Sequence, residues 1–119
     1  MKVLICEGEE VLLTAIEFRL RKQGYKVELA ANIEETLEKI ETEKPNLLIV
    51  DIESSRANGL ELIKKVRAEK DGNVPIIIIA DLENEDGVIE GYENGVKDFV
   101  TKPFKPVELV LRARLLLGE

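Results

Sequence analysis

Four short aliphatic runs, each ending at a charged residue, limit what this chain can fold into. Val3-Leu4-Ile5-Cys6 stops at Glu7, Leu47-Leu48-Ile49-Val50 at Asp51, and Ile76-Ile77-Ile78-Ile79-Ala80 at Asp81, while Phe99-Val100-Thr101 leads into Lys102-Pro103. Runs so uniformly apolar have no outward face, which is the pattern of strands buried on both sides in a parallel sheet. Open α/β sheets hold their ligands beyond the carboxyl ends of such strands. Glu7, Asp51 and Lys102 are therefore expected along one edge, as a small acidic site with one cation.

The intervening segments carry helical spacing. Val11–Lys22 has Leu12, Ala15 and Ile16 on one stripe and ends before Gly24. Tyr25–Ala30 alternates Val27 and Leu29 with Lys26 and Glu28, as a half-exposed edge strand does. Asn32 with Glu35 three positions on is a capping-box pattern, and Ile33, Leu37 and Ile40 follow on one face until Pro45-Asn46 breaks the helix. Leu60–Ala68 places Leu60, Ile63 and Val66 inward and Lys64, Lys65 and Arg67 outward, before a turn at Asp71-Gly72-Asn73. Residues 84–94 give the weakest helical signal, because Gly87 and Gly91 each cost about 1 kcal/mol relative to Ala in a helix interior. Val96–Thr101 reads as a fifth strand and Pro106–Leu117 as a final helix. The fold class is α/β: a (βα)5 doubly wound parallel sheet within one domain spanning residues 1–119. Periodicity alone does not give the strand order.

Composition narrows the chemistry. The chain of 119 residues has no histidine, which excludes His-based metal sites, Ser-His-Asp catalysis and a phosphohistidine-donor role. Cys6 is the only cysteine, so no intramolecular disulfide forms, and its place in an aliphatic run makes it a small buried hydrophobe. The net charge of −7 disfavours direct contact with nucleic acid or an anionic membrane. No apolar stretch approaches the ~18 residues of a membrane span, and the N-terminus lacks a signal-peptide pattern, so a cytoplasmic location is expected.

Four marks taken together resemble the receiver domain of two-component response regulators: Glu7 after the first strand, Asp51 ending the third, Gly59 eight residues beyond it, and Lys102-Pro103-Phe104 after the fifth. Pro45–Lys65 and Gly95–Phe104 carry most of the likeness, and element order agrees over the whole chain. The resemblance implies strand order 2-1-3-4-5. It implies that Asp51 is the phosphoacceptor, attacking the phosphorus of a phosphohistidine on a histidine kinase or phosphotransfer protein. Lys102 would pair with the phosphoryl oxygen, across a cis bond to Pro103, and Phe99 would be the aromatic switch position. Mg²⁺ would be held by Glu7, Asp51 and the backbone carbonyl of Glu53. Phosphoryl transfer needs such a set because it depends on positioning and charge neutralisation.

Two positions depart from the family pattern. Gly8 stands where a second metal-binding acid is usual, which implies weak Mg²⁺ binding unless Glu9 or the Glu53 side chain substitutes. Ala80 stands where a Thr or Ser hydroxyl normally binds the phosphoryl group, an interaction worth roughly 1.5–3 kcal/mol. Ser54 and Ser55 are read as turn residues, not as replacements for that hydroxyl. Two readings result. One is a phosphorelay receiver with a weakened metal site and switch, with no enzymatic activity beyond its own phosphorylation and dephosphorylation, acting on a downstream protein or output domain. The other is a pseudo-receiver, an interaction module independent of phosphorylation. Family members often dimerise through the fourth helix, fifth strand and fifth helix. Arg112 and Asp98 suit such pairing, although Lys97 replaces a common acid, so a monomer or weak homodimer is expected. An end at Gly118-Glu119 suits a free-standing receiver and an excised one equally.

Overall fold

The computed structural model describes residues 1–6, 10–53, 58–69 and 72–119, with the backbone alone for 10–12. The expectations placed on Glu7, Gly8, Glu9, Ser54, Ser55 and Asp71 lie outside the described residues. Strands and helices alternate as β1 (Lys2–Cys6), α1 (Glu10–Lys22), β2 (Lys26–Ala30), α2 (Ile33–Glu43), β3 (Leu47–Asp51), α3 (Gly59–Ala68), β4 (Ile76–Asp81), α4 (Glu85–Glu93), β5 (Asp98–Lys102) and α5 (Pro106–Leu116). The described strands form one parallel sheet in the order β2-β1-β3-β4-β5.

Period-two alternation turns the aliphatic runs into two separate cores. Leu4, Leu48, Val50, Ile76, Ile78 and Ala80 point to one face, where Ile40 of α2 and Leu62, Ile63 and Val66 of α3 cover them. Val3, Ile5, Leu47, Ile49, Ile77 and Ile79 point to the other, against Ile16 and Leu20 of α1 and Leu109, Val110 and Ala113 of α5. Each such Leu or Ile contributes roughly 1.5–3 kcal/mol relative to an exposed side chain. β1 lies between β2 and β3, and the chain steps from it to β2 on one side before returning to build β3, β4 and β5 on the other. Right-handed crossovers therefore divide the helices between the two faces. The reversal leaves a crevice at the carboxyl edge between β1 and β3.

Helix boundaries follow local chemistry. The Asn32 side chain accepts from Glu35 N–H at 2.8 Å, as the capping pattern predicted, while the Glu35 carboxylate accepts from Ala31 N–H rather than from Asn32. Lys44 ends α2 in the left-handed region, at φ 46°. Gly59 opens α3 directly against the end of β3: a Cβ there would lie 2.5 Å from Ile52 Cα, so only glycine fits. The outward placement of Arg67 requires correction. Its guanidinium folds back and donates to the carbonyls of Gly72, Val74, Asn94 and Gly95, tying α3 to the turns before β4 and β5. Burial draws its pKa down.

Candidate functional site

β3 is buried along its whole length, and its last residue carries a charge into that burial: Asp51 is only 4% exposed. A carboxylate so enclosed needs partners. Oδ1 accepts from Glu53 N–H at 2.9 Å, and Oδ2 meets Lys102 Nζ at 2.8 Å. The sheet register explains the second contact. Asp51 sits beside Ile79 and Lys102 beside Asp81, so the lysine reaches across the end of β4 to the strand beyond it. The Lys102-Pro103 bond is cis, as the family resemblance implied. Burial lowers the Lys102 pKa, but the hydrogen bond and charge of Asp51, helped by Asp81 and Glu53, more than offset it and hold the ammonium above its ordinary value.

Two more carboxylates stand near this pair. Glu53 Oε1 and Asp81 Oδ1 each lie 4.0 Å from Lys102 Nζ. Three carboxylates facing one ammonium leave the edge net negative, and hard anionic oxygens are the donors that Mg²⁺ takes. The Glu53 side chain, however, is directed elsewhere. Its Oε1 accepts from Asp81 N–H at 2.8 Å and its Oε2 from Asn84 Nδ2 at 2.6 Å. Among the described residues, no group of three or more Asp, Glu or Cys side chains is gathered to hold a metal. The Asp51 carboxylate suits such an ion, and the further acids considered for it, Glu7 and Glu9, lie outside the described residues.

The remaining predicted positions are spread along β4, β5 and α5. Ala80 is fully buried in the core shared with α2 and α3 and presents no hydroxyl. Phe99 is half-buried and meets Tyr92 of α4 edge-on, with ring centroids 5.9 Å apart. Arg112 of α5 is paired within the chain, its Nη1 donating to both carboxylate oxygens of Asp98 at 2.9 and 3.0 Å. Two participants were not anticipated from sequence: Asp81, through its backbone N–H, and Asn84, which caps α4 by accepting from Gly87 N–H at 2.9 Å while donating to Glu53. Asn84 with an acid at its heels is a recognisable cap, but nothing local marks its second partner.

Comparisons with known proteins agree with this geometry. The family model of the response regulator receiver domain matches residues 3–114. The alkaline phosphatase synthesis transcriptional regulatory protein PhoP of Bacillus subtilis (strain 168) is 35% identical over 116 residues, covering 98% of this chain and 48% of that protein. The chain thus spans about half the length of the curated relatives it matches. Among solved structures, the receiver domain of the Francisella response regulator 1452 superposes with a TM-score of 0.86 at 28% identity, covering 98% of this chain and 96% of that one. The receiver domain of the sensor histidine kinase PA1611 from Pseudomonas aeruginosa PAO1, solved with a magnesium ion coordinated in its active-site cleft, gives 0.85 at 27% identity, covering 99% and 98%. The chain belongs to the response regulator receiver domain family.

Proposed function

We propose that this chain is a phosphorelay receiver in which Asp51 accepts a phosphoryl group from a phosphohistidine on a histidine kinase or phosphotransfer protein. The observation that carries this reading is the 2.8 Å contact between Lys102 Nζ and the nearly enclosed Asp51 carboxylate at a strand's carboxyl end. In the transfer, an Asp51 oxygen forms a bond to phosphorus as the phosphorus–nitrogen bond breaks, and the electron pair leaves with the donor imidazole. Lys102 turns from the carboxylate to the phosphoryl oxygens and neutralises part of their charge. Glu7, Asp51 and the Glu53 backbone carbonyl would hold Mg²⁺, which when bound supplies further neutralisation of those oxygens. With Gly8 and Ala80 at the two altered positions, both metal affinity and conformational response are reduced.

A pseudo-receiver that docks partners without phosphorylation is the second reading. It is favoured by the absence of a hydroxyl at buried Ala80 and by the exposed apolar side chains of Ile89, Leu111 and Leu115 on α4 and α5. Either reading uses that face for a downstream protein, an output domain or a weak homodimer. In the described residues no helix is long and apolar enough to cross a membrane. Incubation with acetyl phosphate and Mg²⁺, followed by intact-mass measurement, separates the readings. One phosphoryl mass on the wild type and none on Asp51→Ala is the expected result. An unmodified wild type, or mass retained by Asp51→Ala, would leave the pseudo-receiver.

A further inference from the structure

Glu53 and a phosphoryl group on Asp51 need the same place. Lys102 Nζ lies 2.8 Å from Asp51 Oδ2 and 4.0 Å from Glu53 Oε1, so both carboxylates already share one ammonium. An acyl phosphate on Asp51 would bring three phosphoryl oxygens into the space around that ammonium. The nearby donor at the end of β4 is the Asp81 N–H, and Glu53 Oε1 already takes it at 2.8 Å. No hydroxyl at Ala80 supplements it. Two anions cannot use this ammonium and this N–H together without repulsion between them.

We propose that the Glu53 carboxylate is a resident occupant of the phosphoryl seat, which must withdraw before Asp51 can hold a phosphoryl group. The inference rests on the phosphoacceptor reading of Asp51. In the unphosphorylated chain Glu53 binds the two ends of the β4–α4 connection: Asp81 N–H through Oε1, and Asn84, the cap of α4, through Oε2. That connection is therefore drawn towards Lys102 by an internal anion before any phosphate arrives. Glu53 is a positioning residue with two effects: it slows transfer to Asp51, and it reduces the movement that transfer can cause. The attenuated response expected from Ala80 thus has a second and separate source.

The test uses wild type, Glu53→Ala, Glu53→Gln and Asn84→Ala. The first measurement is amide NMR and hydrogen exchange without metal or phosphodonor. Glu53→Ala shifts the Asp81 amide resonance and speeds its exchange about tenfold, the loss of one hydrogen bond of roughly 1.4 kcal/mol. The second is the rate of phosphoryl mass gain from acetyl phosphate at saturating Mg²⁺. Glu53→Ala gains mass about tenfold faster than wild type, with Glu53→Gln between them, in line with removal of a like charge at ~4 Å. Asn84→Ala keeps every charge but frees one Glu53 oxygen, and it is also faster than wild type. An unmoved Asp81 amide in Glu53→Ala overturns the seat. A wild-type rate in Asn84→Ala beside a fast Glu53→Ala means charge alone acts, and also overturns it. A responsive amide with no mass gain in any chain overturns the phosphoacceptor reading and with it the competition, leaving only the link between Glu53 and Asp81.

Discussion

Lys102 faces three carboxylates among the described residues, Asp51 at 2.8 Å and Glu53 and Asp81 at 4.0 Å, with its side chain 27% exposed. Breaking a fully buried pair costs about 3–5 kcal/mol, and the partial exposure here reduces that. Lys102→Met is therefore expected to destabilise the chain by about 2 kcal/mol in urea denaturation, because the enclosed Asp51 loses its counterion. The pH dependence has a definite sign. Lys102 titrates above its unfolded value, so its contribution is complete below ~10.4 and is lost as pH rises through the folded value. The stability gap between wild type and Lys102→Met should be flat from about pH 7 to 9.5 and narrow only in stronger alkali. A gap that already closes near neutrality would mean that the lysine is not held above its ordinary value. Asp51 and Lys102 were legible in the sequence because each ends an aliphatic run, and strand ends of a parallel sheet share an edge. The Glu53 side chain was not. Its partners are 28 and 31 positions away, and only the folded connection beyond β4 brings them to it.

At the scale of elements, all the predicted strands and helices are present, and the errors are of direction and length. The fifth strand was expected over Val96–Thr101 and runs over Asp98–Lys102, since apolar Val96 is buried ahead of the paired segment. α4 forms despite Gly87 and Gly91. A Cβ on Gly91 would lie 3.0 Å from Ile78 Cδ1, so the lost propensity allows the helix to lie close against β4. A Cβ on Gly87 would lie 2.6 Å from Asn84 Nδ2, so that glycine leaves room for the cap that holds Glu53. Arg67 departs from its expected direction for a different reason: helical spacing gives the direction of Cβ, but a long side chain can turn back to carbonyls of neighbouring turns. Its fork serves four carbonyls from two turns. Arg67→Ala should cost about 2–4 kcal/mol in chemical denaturation, since the carbonyls at three part-buried contacts lose this donor together. Arg67→Lys should recover less than half, because one ammonium cannot span both turns. Full recovery by lysine would mean that charge, not the planar fork, joins these elements.

For the whole molecule, α4 stands between the site and the exposed apolar face. Its start is held by Asn84 to Glu53, Tyr92 near its end rests on Phe99 of β5, and Arg67 holds the carbonyls of the turn that follows. A change at Asp51 therefore reaches α4 through the β4–α4 connection, which Glu53 holds at Asp81 and Asn84. A phosphoryl group shifts that connection only by its differential interaction with the two arrangements. The Ala80 side chain adds no hydrogen bond to that difference, since it is fully buried and carries no polar atom. Ala80→Thr introduces the missing hydroxyl with two opposed consequences. Without phosphate, two extra atoms in a filled core should cost about 1–3 kcal/mol in stability. With phosphate, a hydrogen bond to a charged group adds roughly 1.5–3 kcal/mol in favour of the drawn-in connection. Amide NMR before and after acetyl phosphate with Mg²⁺ should then show larger shifts over α4 and β5 in Ala80→Thr than in wild type. Equal shifts in the two chains would mean that the hydroxyl is not what limits the response.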